Sequence, residues 1–273
     1  MEVSRDLSQY GNQKGQSVQH YLIRMLNKVL KEVDQVRRNE QFAVILQMID
    51  WSQAFDRQSH QLGIKSFLRN GVRSSLIPYL IDYFRDRKTR VKWYTKLRSF
   101  RPLPGGGPQG GIILEYLSQS NNNVDFLTLE EKFKYIDDLS ILEMVNLIMH
   151  GLSSYNFRQH VASDIGLHGQ FIDVQHLQSQ AYLDDIDSWT KDNLMKLNSD
   201  KTKYMIINFS RNYQFNIRLR LEDHLLEQIR ETRLLGVVIT EDLTWHKNTN
   251  LVIRNSFQRM LMPHKLYEFN LPV

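Results

Sequence analysis

The sequence predicts an α+β fold, a split βαβ antiparallel sheet with helices on one face. Three observations lead there. The apolar run Phe42 to Ile49 has the length and side-chain character of a buried central strand. Two alternating segments, Phe133–Ile136 and Leu139–Leu142, flank a pair of acids and read as a hairpin. Segments of helical period fall between and after these strands, so the order is strand, helix, hairpin, helix, strand.

Each element follows from its own pattern. Between Ser17 and Val36, the residues Val18, Tyr21, Leu22, Met25, Leu26, Val29 and Val33 recur at helical spacing. The strand at 42–49 delivers Asp50 at its end. A second helix is marked by Leu76, Ile77, Leu80, Ile81 and Phe84, and a basic segment from Arg85 to Lys92 follows it. Pro102 to Gly111 is a loop, because its prolines and glycines exclude regular structure. Residues 150–178 show no period and are expected to be an irregular insertion. Leu183, Ile186, Trp189, Leu194 and Leu197 predict a further helix, and 204–207, 215–219 and 234–239 read as strands.

Composition bounds the chemistry. With 273 residues, 41% of them apolar and 11% aromatic, the chain is long enough to build a core. A net charge of +5 favours a polyanionic partner mildly. Cysteine is absent, which removes disulfides, thiolate nucleophiles and thiolate metal sites. His150, His160, His168 and His176 match no zinc spacing, and zinc is not expected. No window approaches the ~18 apolar residues that span a bilayer, and a soluble, intracellular protein without membrane association is expected.

The chemistry lies in carboxylates. Asp50 ends the first strand, and Asp137 and Asp138 sit at the hairpin tip, so adjacent strands would bring all three to one edge of the sheet. Acids packed ~4 Å apart repel one another and persist as carboxylates mainly when divalent cations neutralise them. Ligands that are all oxygen select magnesium or manganese. Two such ions ~4 Å apart serve phosphoryl transfer, activating a hydroxyl and stabilising the leaving group. Taken alone, an Asp-Asp pair more often caps a tight turn.

Five separated segments carry a resemblance that changes this balance. Asp50-Trp-Ser-Gln-Ala-Phe-Asp56, Pro104-Gly-Gly-Gly-Pro-Gln-Gly110 and Phe133-Lys-Tyr-Ile-Asp-Asp138 resemble motifs A, B and C of the reverse transcriptases of non-LTR retrotransposons, in that order. Trp189 through Lys203 looks like motif D, and Arg233-Leu-Leu-Gly236 with Trp245 looks like motif E, the primer grip. The resemblance implies a polymerase palm at 50–246, a remnant of the fingers at 1–49 and the beginning of a thumb at 247–273.

It also implies roles. Asp50, Asp137 and Asp138 match the metal-binding aspartates of two Mg2+ ions, with Mn2+ as a substitute. Tyr135 matches the residue beside the primer terminus. Phe55, next to Ala54, matches the residue whose ring excludes the 2′-hydroxyl of a ribonucleotide, which points to dNTPs. Gln109 and Gly110 match residues that touch nucleotide and template, while Leu235 and Gly236 fall in the primer grip. Lys201 matches a general acid for pyrophosphate, and Lys203 has the same chemistry two residues on. Lys14, Arg24, Arg87, Lys88 and Arg90 are candidates for phosphate contacts.

The implied partners are an RNA template, a DNA primer and dNTPs, and missing fingers, thumb or endonuclease regions are expected on a longer product. The run after Gln109-Gly-Gly is shorter than the family's usual motif B helix. Two readings remain: an RNA-directed DNA polymerase core, or an inactive palm derived from a retroelement that at most binds nucleic acid.

Overall fold

The computed structural model describes residues 8–11, 13–36, 42–69, 71–103, 105–107, 132–146, 178–210 and 217–268. Gln109, Gly110, the run that follows them, the four histidines between 150 and 176 and nearly all of the expected irregular insertion lie outside the described residues.

Helix α1 (Val18–Gln35) starts at Ser17, whose hydroxyl accepts the His20 N–H at 3.4 Å, and buries Tyr21, Leu22, Met25 and Val29. Strand β1 (Phe42–Ile49) follows, then α2 (His60–Arg69) and α3 (Ile77–Phe84). A narrow ribbon comes next, built from β2 (Lys88–Thr89), β3 (Lys92–Trp93), β4 (Lys96–Leu97) and β5 (Arg101–Pro102). Strands β6 (Lys132–Tyr135) and β7 (Asp138–Asn146) form the predicted hairpin, and α4 (Gln178–Asp192) precedes β8 (Lys203–Asn208). Short strands β9 (Arg220–Leu221), β10 (His224–Leu225) and β11 (Glu227–Gln228) lead to the hairpin of β12 (Glu231–Leu234) and β13 (Val237–Thr240). Helix α5 (His246–Glu268) comes last.

The central sheet has the order β11-β8-β1-β7-β6. Strand β1 pairs antiparallel with β7 over all eight residues and with β8 over six, which makes it the hub. The two residues of β11 run parallel to β8, so the sheet is mixed.

The α+β class and the split βαβ order are as the sequence predicts, but the helices cover both faces of the sheet. Phe42, Val44 and Leu46 pack with Tyr21, Met25 and Val29 of α1. Ala43, Ile45 and Ile49 point the other way and pack with Leu183 and Ile186 of α4. The cause is in β1 itself: seven of its eight side chains are buried, and a strand apolar on both faces needs cover on both. Truncating Ile45 or Leu46 to alanine would cost roughly 2–5 kcal/mol.

Three boundaries differ from the sequence expectation. Helix α4 ends at Asp192, and the chain turns at Leu194 (φ 57°), so Leu197 bridges to Trp51 instead of continuing the helix. Ile217 and Leu219 are fully buried without strand pairing, since their alternation serves insertion into the core. The stretch 234–239 is the tip of a hairpin, turning at Leu235 (φ 47°) and Gly236 (φ 91°). Among the described residues no helix is long and apolar enough to cross a membrane.

Candidate active site

Antiparallel register brings the acids together. Ile49 lies opposite Leu139, so Asp50, the next residue along β1, faces Asp138 at the start of β7. Asp137 occupies the two-residue turn between Tyr135 and Asp138, which are themselves paired. The other central residue of that turn, Ile136, has φ 61°. Hairpins usually give this conformation to glycine, and a β-branched residue adopts it only under constraint.

The constraint comes from the N-terminal segment. Tyr10 N–H donates to the Lys134 carbonyl and Lys134 N–H to the Ser8 carbonyl, both at 2.9 Å, which lays residues 8–10 along β6. Gln9 is thereby buried against the turn. Its Oε1 accepts from the N–H groups of Ile136 and Gly11, each at 3.0 Å, and its Nε2 donates to the Ile136 carbonyl at 3.3 Å. A Cβ on Gly11 would stand 2.6 Å from Ile136 Cγ1, so the approach is open only to glycine.

A second segment closes the site from the other side. Ser52 N–H donates to the Lys196 carbonyl at 2.8 Å, Asn198 N–H to the Asp50 carbonyl at 2.9 Å, and Asp50 N–H to Thr202 Oγ1 at 3.2 Å. Residues 196–202 are thus tied to the chain beside Asp50, and the positive charge of Lys201 reaches its carboxylate. Lys203 is turned away and pairs with Glu227 at 2.6 Å. Of the two lysines that the sequence could not separate, Lys201 acts to lower the pKa of the Asp50 carboxyl through its charge, while Lys203 is engaged by Glu227.

The electrostatics are those of crowded anions. Asp50 is held above the ordinary carboxylate range by desolvation first and by Asp137, against the lowering effects of Lys201 and Asn198. Asp138 is pushed up to about 6, by desolvation and then by the charges of Asp137 and Asp50. Asp50 Oδ2 is buried without a hydrogen-bond partner, an arrangement that costs free energy unless a cation satisfies it. Carboxylate oxygens that repel one another, one of them orphaned, suit a hard divalent cation. Among the described residues, however, no three acidic or imidazole side chains are gathered closely enough to ligate one ion as they stand.

The remaining predicted residues fall around this centre. Tyr135 meets Tyr21 edge to face at 6.4 Å. Ala54 is buried in the core beneath α4. Phe55 is half-buried against Phe67 and Phe84, between α2 and α3. The described part of the glycine-rich loop rests on this same segment: Gly106 N–H donates to the Gln58 carbonyl at 2.8 Å. At φ 65°, a Cβ on Gly106 would come within 2.5 Å of the Phe55 carbonyl. Leu235 and Gly236 form the β12–β13 turn, with Leu235 packed against the α1 side of the core.

Sequence reasoning missed Gln9, Asn198 and His60. His60 stacks on Phe84 at 4.3 Å and its Nε2 lies 2.6 Å from the Gly106 carbonyl, pinning the loop. No local signal marks Gln9 or His60, because each acts on a residue remote in sequence, whereas Asn198 lies within the segment that looks like motif D.

No family model matches the chain. Among solved structures, apo telomerase from Candida tropicalis superposes with a TM-score of 0.48 at 12% identity, covering 88% of this chain and 37% of that one. A form of it lacking the C-terminal domain gives 0.46 at 13%, covering 87% and 40%. In sequence, the chain is 24% identical over 254 residues to the probable RNA-directed DNA polymerase from transposon BS of Drosophila melanogaster. The alignment takes in 92% of this chain and 26% of the relative. Through nearly all of its length, the chain is thus similar in sequence to a transposon RNA-directed DNA polymerase, of which it spans about a quarter.

Proposed function

We propose that the chain is the nucleotidyl-transfer core of a reverse transcriptase, adding dNTPs to a DNA primer on an RNA template. The observation that carries this reading is the convergence of Asp50, Asp137 and Asp138 at one end of the central sheet, with Asp50 Oδ2 buried and unpaired. In this reading residues 50–246 are the palm, flanked by a remnant of the fingers and the beginning of a thumb.

Asp50, Asp137 and Asp138 would hold two magnesium ions. When bound, such ions lower the pKa of the primer 3′-hydroxyl and neutralise the triphosphate. The protein's own residues do the rest. The turn fixed by Gln9 holds Asp137 and Asp138 in register with Asp50. The primer 3′-hydroxyl releases its proton to water as its oxygen forms a bond to the α-phosphorus, the bond from that phosphorus to the bridging oxygen breaks, and Lys201 supplies a proton to the departing pyrophosphate. Phe55 excludes the 2′-hydroxyl, Tyr135 supports the primer terminus, Gln109 and Gly110 contact the nucleotide, and Leu235 and Gly236 support the primer strand.

A second reading, a retroelement-derived palm that binds nucleic acid without turnover, is favoured by one observation. The described acids do not form a closed ligand set as they stand. Primer extension on poly(rA)/oligo(dT) with Mg2+ and dTTP, wild type beside Asp138→Ala, separates the two. Extension by wild type alone supports the polymerase, and its absence from both folded proteins supports the inactive palm.

A further inference from the structure

The ribbon from Lys88 to Pro102 has no place in the core. Every residue in it is exposed, although an isolated two-stranded hairpin is marginal in water and normally leans on something. Its hydrogen bonds hold it as one arm: Leu103 N–H donates to the Arg87 carbonyl at 2.8 Å and Arg98 N–H to the Val91 carbonyl at 3.0 Å, with the β2–β5 and β3–β4 pairs between and beyond them.

Its charge is one-signed. Lys88, Arg90, Lys92, Lys96, Arg98 and Arg101 lie within fifteen residues that contain no acid, and these six cations exceed the +5 net charge of the whole chain. Among the described residues none of the six has a carboxylate at ion-pair distance. Large rings stand among them: Trp93 is 71% exposed, Tyr94 83% and Phe100 57%. Arg90 lies over the Phe100 ring at 4.4 Å.

Register decides what such a surface fits. Trp93 is paired with Lys96 and Lys92 with Leu97, so one face carries Trp93 with Lys96 and the other carries Lys92 with Leu97. A ribbon that inserts into a lipid surface would segregate its apolar side chains onto one face. Here each face offers a cation beside an apolar side chain, the combination that takes a phosphate and the flat side of an unpaired base together. Duplex bases are stacked on one another and leave such rings no partner.

We infer that the Lys88–Pro102 ribbon is a docking arm for a single-stranded stretch of nucleic acid, held by its phosphates and by stacking on Trp93 and Phe100. The arm is rooted close to the candidate nucleotide site, since Leu103 at its base is three residues from Gly106, which lies on Phe55 and Gln58. Naming the docked strand as the unpaired template rests on the polymerase reading. The docking itself does not.

The test is fluorescence anisotropy of the full chain with a labelled single-stranded RNA of about 12 nucleotides in EDTA buffer. Binding by wild type is expected to weaken about tenfold or more in Trp93→Ala/Phe100→Ala and to stay within about threefold in Trp93→Phe. The slope of log affinity against log salt is expected to drop by about 1 to 1.5 in Lys92→Gln/Lys96→Gln. Because the ribbon buries nothing, the circular dichroism of these variants should match wild type.

Unchanged affinity in the ring variant, equal competition by duplex RNA or by anionic vesicles, or no RNA binding by wild type would each overturn the proposal. Ring-dependent RNA binding by a protein that extends no primer would leave the docking arm standing and remove the polymerase reading instead.

Discussion

Gln9 grips the backbone of Ile136 on both sides, accepting its N–H at 3.0 Å and donating to its carbonyl at 3.3 Å. The residue so held has φ 61° and immediately precedes Asp137. A non-glycine residue in this region costs on the order of 1–3 kcal/mol and persists only where its surroundings determine it. Gln9→Leu removes the grip while keeping the volume. It is expected to destabilise by about 1–3 kcal/mol in urea unfolding and to lower primer extension further than that loss of folded protein explains. Ile136→Gly relieves the strain and should recover part of the deficit in the double variant. Additive effects in that cycle would show that the two residues act independently.

Asp138 makes stability depend on pH in a definite direction. Its folded value of about 6 lies above the ~4 of an aspartate in an unfolded chain. Between those values the folded state holds more protons, so without metal its contribution is most favourable below pH ~4 and is lost as pH rises through ~6. Relative to Asp138→Asn, the melting temperature of wild type in EDTA should therefore fall between pH ~4 and ~7. Mg2+ at neutral pH should raise wild type and leave Asp138→Asn nearly unmoved. A wild type that gains on Asp138→Asn as pH rises would contradict the crowded-anion account.

Phe55 is proposed to close the sugar pocket, and its ring also leans on Phe67 and Phe84. Phe55→Val should raise incorporation of rNTP relative to dNTP by about tenfold or more, the scale on which pocket volume discriminates. Urea unfolding run in parallel separates selectivity from lost packing. An unchanged ratio in a stable variant would leave Phe55 as a packing residue.

Glu143, buried on β7, caps the N-terminus of α4. Its carboxylate accepts the N–H of Gln178 at 3.0 Å and of Ser179 at 2.7 Å. An anion there satisfies donors that the helix cannot and complements its dipole. Glu143→Gln is expected to cost about 1–2 kcal/mol in urea unfolding. A neutral result would mean that charge contributes nothing to the cap.

What the sequence determined by itself was local or motif-borne. The 3.6-residue period of Tyr21, Leu22, Met25 and Val29 and the apolar run 42–49 specify α1 and β1, because burial period is a property of neighbouring residues. The alternation around Asp137-Asp138 specifies the hairpin in the same way. What only the tertiary structure decided depends on segments far apart in the chain. That Lys203 pairs with Glu227 while the charge of Lys201 acts on Asp50 follows from how residues 196–202 are tied beside it, and the grip of Gln9 joins residues 127 apart. The second helical layer was hidden because a strand buried on both faces has no period to reveal which helix covers which side. The ribbon was legible as a basic segment, but its isolation in solvent, with each face mixing cation and apolar side chain, came from pairing register, which composition does not encode.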